Sequence, residues 1–269
     1  MPHSAVDDEP KVRVHRLAEQ VADHIRGRII RGDFADGDPL PKSEELIRRY
    51  PVSMPTFREA MRILEAEGLI TVRRGRLGGA IVHRPSSANL GYNLGLVLAA
   101  QRAGIGDVAV ALRHVEPACA ALCAARHDRA RTVVPRLREL HEEYLASIDD
   151  LPTVVGVSRR FHEALVSLCG NPPLIVLAGA LEALWSSHEE SWASRTEPQG
   201  VPLSKRQASG EVHGKILALI EAGEADAVHR LVASHLATTQ RNPQPAGDPA
   251  IDLTLVRELM QPPGAAPDS

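Results

Sequence analysis

The stretch from Ser43 to Gly68 leaves this chain few ways to fold. Pro51 stops whatever helix precedes it, and Ser53 offers a hydroxyl to cap the next one. Pro55 falls in that helix's first turn, where a missing N–H does no harm. Phe57, Met61 and Leu64 then recur at helical spacing until Gly68 ends the run. Ahead of Pro51, residues 43–50 read as a shorter helix with Ser43 as its N-cap, and Glu44 and Glu45 suit the positive end of its dipole. Met54, Arg58 and Arg62 lie four apart on a different face of the second helix from its apolar stripe. Two helices joined by a three-to-four-residue turn, the second exposing arginines, form the pattern of a helix-turn-helix.

The flanking residues extend that pattern. Leu17, Val21, Ile25 and Ile29 recur every four residues and predict a first helix over 14–31, ended by Gly32, Gly37 and Pro39. Beyond Gly68, Leu69–Val72 and Ala80–His83 read as two short strands, joined by Arg73-Arg74-Gly75-Arg76-Leu77-Gly78-Gly79. Glycine lets the backbone of such a hairpin tip approach a narrow groove, and arginine there can enter the minor groove or grip phosphate. Residues 11–84 are therefore expected to form a winged DNA-binding domain of three helices and a β-hairpin.

Charge supports the division only once it is split along the chain. The formal net charge is −3, yet residues 11–84 hold 15 Lys+Arg against 10 Asp+Glu and the remainder 16 against 24. A basic module is thus joined to an acidic one. No apolar run reaches the roughly 18 residues of a membrane span and no signal segment opens the chain, so a cytoplasmic protein is expected. Cys119, Cys123 and Cys169 are too few for a disulfide framework, and Cys119 and Cys123 read as small core residues of one helix.

Residues 85–90 are expected to be a linker. From 91 to 240 the pattern is helical throughout, with six or seven helices separated by breaks near Gly104, Asp128, Asp149–Pro152, Gly170–Pro173, Thr196–Pro202 and Gly223. The tail, 241–269, is rich in Pro, Gly and Ala, with a possible short helix at 252–260. The fold class expected is mostly α: a winged helix-turn-helix followed by an all-α, effector-binding bundle.

The sequence resembles the GntR family of bacterial regulators, in the branch whose effector domain is the helical FCD type. The stretches that carry the resemblance are Leu40-Pro41-Lys42-Ser43-Glu44-Glu45-Leu46, the run Pro55 to Ile70, Arg113-His114-Val115-Glu116, Phe161-His162, Gly170-Asn171-Pro172, and the pair His213 and His235. It implies a transcription regulator, more often a repressor, that binds a near-palindromic operator as a homodimer and responds to a small organic acid. By position, Ser53, Thr56, Arg58, Arg74, Gly75 and Arg76 match the family's DNA-contacting places. Glu44 and Met54 stand where many members carry arginine, which shifts weight onto Arg58, Arg62 and the wing. An arginine bidentate to guanine is worth roughly 1–3 kcal/mol of discrimination, so an unusual operator is expected.

His213 lies ten residues before Gly223 and His235 twelve after it. In an antiparallel helix pair the two imidazoles come level, at roughly 15 and 18 Å from the bend. His162 is expected from the helix beginning near Thr153. Three imidazoles at one point suit zinc or nickel, while three histidines in a chain of twelve also read as ordinary core or surface residues. The resemblance implies the metal, and places Ser158 where the family has an aspartate. It also implies that Arg113 faces the effector, as a guanidinium suits a carboxylate; an Arg113–Glu116 surface pair is the plainer reading. Asn171 reads equally as an effector contact or a helix terminator. A fatty acyl thioester is the alternative ligand of a metal-free regulator, and a metal-dependent enzyme is a remote alternative that does not explain the wing.

Overall fold

The computed structural model describes residues 12–73, 79–195, 201–239, 250, 251 and 256. These form two compact units that divide after Pro85. In the first, α1 (Val12–Arg31), α2 (Ser43–Arg49) and α3 (Met54–Ala66) precede the hairpin of β1 (Ile70–Arg73) and β2 (Gly79–Val82). Ala18, Val21, Ala22, Ile25 and Ile29 form the buried face of α1, and Leu17, expected in that stripe, is 47% exposed. The face is set by the i, i+3, i+4, i+7 rows that Ala18 starts, and Leu17 lies one position off it. Leu46, Phe57, Leu64, Ile70 and Val82 close this core.

Ser53 caps α3 as expected: its Oγ accepts from the N–H of Thr56 at 3.4 Å. The cap of α2 differs. Lys42 occupies the cap position with extended backbone, Ser43 is the first helical residue, and no side chain caps this end. Gly68 turns the chain out of α3 with φ of +72°, a conformation that disfavours any side chain. β1 and β2 pair from Ile70↔Val82 to Arg73↔Gly79. Residues 37–40 pair with the other edge of β2, where Leu40 N–H donates to Ala80 O at 2.7 Å and Val82 N–H to Asp38 O at 2.8 Å. Arg74, Gly75 and Arg76 lie outside the described residues.

The second unit contains α4 (Ser87–Ala100), α5 (Ile105–Ala125), the single-turn α6 (Arg129–Thr132), α7 (Val134–Ala146), α8 (Leu151–Ser167), α9 (Pro172–Arg195), α10 (Leu203–Ala222) and α11 (Ala225–Thr239). The expected linker over 85–90 is shorter, because Ser86 caps α4 by accepting from Asn89 N–H at 3.4 Å and the helix begins at once. The main core draws Leu137 and Leu140 from α7, Phe161 and Leu165 from α8, Ile216 and Ile220 from α10, and Val232 and Leu236 from α11. Cys119, Cys123 and Cys169 are buried in it, and burial pushes the Cys119 and Cys123 thiols up, as inert core groups behave.

A second cluster joins Leu112 of α5 and Leu184 and Trp185 of α9 to two residues of the tail, Ile251 and Val256. Ile251 N–H donates to Ala103 O at 3.0 Å, and Ala250 pairs with Gly104. Val256 is helical; the rest of the helix expected at 252–260 lies outside the described residues. By length and composition α5 is apolar enough to cross a membrane, although charged residues interrupt it, but half of it is buried within the bundle. It is the bundle's core helix.

Candidate metal and effector site

Three helices bring the three predicted histidines together. His162 comes from α8, His213 from α10 and His235 from α11. Gly223, with φ of +81°, makes the turn that folds α11 back along α10. Ring centroids lie 5.3 Å apart for His162–His213, 5.4 Å for His162–His235 and 5.1 Å for His213–His235. One ring nitrogen from each falls within 4.8 Å of the others.

His213 is fully buried between aromatic neighbours. Phe161 stacks on it at 4.4 Å, and Tyr144 meets it edge-on at 5.0 Å. Tyr144 is fixed in turn by its hydroxyl, which donates to Arg206 O at 2.8 Å. Neither ring nitrogen of His213 has a hydrogen-bond partner among the described residues. A buried polar atom in that state costs roughly 1–3 kcal/mol, which a bound ion or water would relieve. Burial, then the neighbouring His162, lowers the affinity of His213 and His235 for protons, taking His235 down to about 3. Unprotonated imidazoles are what a divalent transition metal takes as ligands, so the residues fit a zinc- or nickel-like ion.

A cavity of about 60 Å³ opens beside the histidines. Its wall takes Glu116 from α5, Ser158, Arg159 and His162 from α8, Glu182 and Trp185 from α9, and His235, Leu236 and Thr239 from α11. Ser158 lies where expected, on the wall and one turn before His162. Arg113 is half-buried on α5 and is not among the lining residues. The arginine that lines the cavity is Arg159, which pairs with Glu163 at 3.4 Å. Asn171 also lies off the wall and starts α9, where its Oδ1 accepts from Leu174 N–H at 3.2 Å.

Glu116 is the residue that sequence reasoning misplaced. It is 1% exposed, rather than half of a surface pair with Arg113, and its Oε1 bonds His162 Nδ1. The signal available was its place in a strongly apolar helix, immediately before Pro117. In the first unit, Ser53, Arg58 and Arg62 are exposed as expected, with Arg62 paired to Glu59 at 3.1 Å. Thr56 is only 5% exposed, and its hydroxyl bonds Ser53 Oγ at 2.8 Å within the cap.

A winged helix-turn-helix joined in one chain to a helical bundle with a polar site is the organisation of a DNA-binding transcription regulator. Residues 17–77 match the family described as bacterial regulatory proteins, gntR family, and residues 107–238 match the FCD domain. The chain belongs to the GntR family and carries an FCD domain; it is a regulator and not an enzyme. It is 26% identical over 225 residues to the HTH-type transcriptional repressor NanR of Salmonella schwarzengrund, covering 82% of each chain. The NanR of Citrobacter rodentium is 26% identical over 227 residues, covering 82% of this chain and 83% of the relative. A solved structure titled Streptococcus agalactiae GntR shares the fold, with a TM-score of 0.60, 22% identity, and coverage of 84% of this chain and 100% of that one.

Proposed function

We propose that this chain is a repressor that holds a near-palindromic operator as a homodimer and releases it when a small carboxylate binds at a metal held by His162, His213 and His235. The observation that carries the reading is the convergence of three imidazoles, two of them buried, one of which has no partner for either nitrogen among the described residues. When bound, the metal supplies a Lewis-acidic place for a carboxylate oxygen. The chain's own residues do the rest: Phe161 and Tyr144 fix the His213 ring, and Ser158 and Arg159 present a hydroxyl and a cation to the same cavity. A cavity of about 60 Å³ favours a small ligand over one the size of a fatty acyl thioester.

On the DNA side, Ser53, Arg58 and Arg62 at the start and exposed face of α3 would contact the operator, with Arg74, Gly75 and Arg76 of the wing and Thr56 supporting the cap. Operator half-sites demand a fixed separation of the two reading heads, and ligand entry would change it. The relatives' name as repressors supports the sign of regulation.

The test is a gel-shift titration of the protein, purified without chelator or nickel resin, against its own upstream DNA. Metal content close to one equivalent per chain, and release by a small carboxylate in the wild type but not in His213→Ala, is the expected result. Metal well below one equivalent, or release that is the same in both proteins, overturns the reading.

A further inference from the structure

Glu116 sits one imidazole away from the centre of the histidine cluster. Its side chain is 1% exposed and its carboxylate bonds Nδ1 of His162, whose own side chain is 12% exposed. Taking a carboxylate out of water costs several kcal/mol unless charge and hydrogen bonds offset it. The N–H of one imidazole offsets little of that while the imidazole is neutral. A cation bound through the far nitrogen of the same ring offsets much more, because it draws positive charge onto the N–H that faces the carboxylate. The rest of the wall also calls for such a group. Ser158, one turn before His162, brings only a neutral hydroxyl, and three neutral imidazoles leave the full charge of a divalent ion uncompensated.

We propose that Glu116 is the positioning residue of the site: by accepting from Nδ1 it fixes the His162 tautomer, leaves Nε2 as the nitrogen with a lone pair for the ion, and supplies negative charge to the metal through the imidazole. Glu116 does not touch the ion. The geometry favours this indirect role because Oε1 bonds Nδ1 and the donor atoms that lie within 4.8 Å of one another are those of His162, His213 and His235, without Glu116. Pro117 follows immediately and has no N–H to give to the carbonyl of Arg113, so the turn that carries Glu116 is held by packing around it rather than by a complete ladder of backbone bonds.

The proposal rests on the metal site described above, and its experiment separates the two. Wild type, Glu116→Gln and His213→Ala are stripped of metal and titrated with Co(II), read by its visible absorption. Glutamine keeps the shape and the acceptor oxygen but removes the charge. Expected is a loss of affinity of about 10–100-fold in Glu116→Gln with an altered Co(II) spectrum. In metal-free wild type, nitrogen-15 NMR of the His162 ring should show the proton on Nδ1, and Glu116→Gln should show a mixture of tautomers. The NMR arm needs only folded wild type, so the proposal stays testable if the variant unfolds. Glu116→Gln matching wild type within twofold while His213→Ala is weakened overturns the role of Glu116 alone, as does a proton on Nε2 in wild type. Failure of wild type itself to bind Co(II) overturns the metal site and the positioning role with it.

Discussion

Phe161 lies flat against His213, with ring centroids 4.4 Å apart and planes 12° from parallel. The next residue in the chain, His162, is itself one of the three converging imidazoles. One short segment of α8 thus contributes one of the three imidazoles and braces another, from α10. Both Phe161 and His213 are fully buried. Phe161→Ala should cost about 3–5 kcal/mol of stability, as large-to-small core changes do. Phe161→Leu should cost about 1–1.5 kcal/mol and still fold. Because leucine cannot stack, the second variant should also bind metal more weakly than wild type. Urea midpoints and metal titration of Phe161→Leu check this, and unchanged metal affinity would show that the stack is packing alone.

The histidine cluster makes a prediction about acid. Burial lowers the proton affinity of His213 and His235 from the ordinary value of 6.5, to about 3 for His235. Well above pH 6.5 neither folded nor unfolded chain protonates them, so their contribution to stability is fully present. As pH falls, the unfolded chain takes up protons that the folded chain refuses until about pH 3 in the case of His235. Stability therefore falls across that window, by up to about 1.4 kcal/mol per pH unit for each site. In the metal-free protein, His235→Leu should flatten the fall of the urea midpoint between pH 6.5 and 4 relative to wild type. Parallel curves for the two proteins would rule out this origin.

What the sequence reveals follows the range of each interaction. The cap of α3 is legible because Ser53, Pro55 and Thr56 act within one turn, and the α10–α11 hairpin because Gly223 dictates its own backbone. His213 and His235 could be matched across that hairpin by counting residues alone. Glu116 could not be assigned in the same way: its apolar helix and Pro117 hint at burial, but its partner lies 46 residues away. Arg113 is three residues before Glu116, so helical periodicity puts the two near one face, yet only Glu116 reaches the cavity. Ala18 in place of Leu17 on the core face of α1 has the same cause. The sequence specifies the periodicity, and the packing of α1 on its neighbours chooses the phase.

Arg26 and Arg58 separate DNA contact from stability. Arg26 of α1 bonds Glu67, just past α3, with its Nε at 2.8 Å, and that carboxylate raises its pKa. Arg58 is exposed on α3. Arg58→Ala should weaken operator binding by at least tenfold, the scale of one lost base or phosphate contact, and leave the urea midpoint unchanged. Arg26→Ala should show the reverse: a loss of up to about 1 kcal/mol of stability and little change in affinity at a given salt concentration. Equal losses of affinity would mean that α3 is not the recognition helix.

Gly95 of α4 decides how the tail packs. A Cβ added there would lie 2.8 Å from Cγ2 of Val256 and 3.0 Å from Cδ2 of Leu184. Replacing a helical glycine with alanine ordinarily gains about 1 kcal/mol. Here the contact is too short to accept, and overpacking of this kind costs about 1–3 kcal/mol, so Gly95→Ala should be destabilising on balance. Val256→Ala should cost about 2 kcal/mol, since Val256 is fully buried against the α4–α9 pair. In the double variant the alanine at 95 occupies space that the shortened side chain at 256 has vacated. The helix propensity gain then appears, and the double variant should be more stable than the sum of the single losses implies, by about 0.5–3 kcal/mol. Strict additivity in chemical denaturation would mean that residue 256 does not occupy this groove in solution, and that the cluster of Leu112, Leu184 and Trp185 closes without the tail.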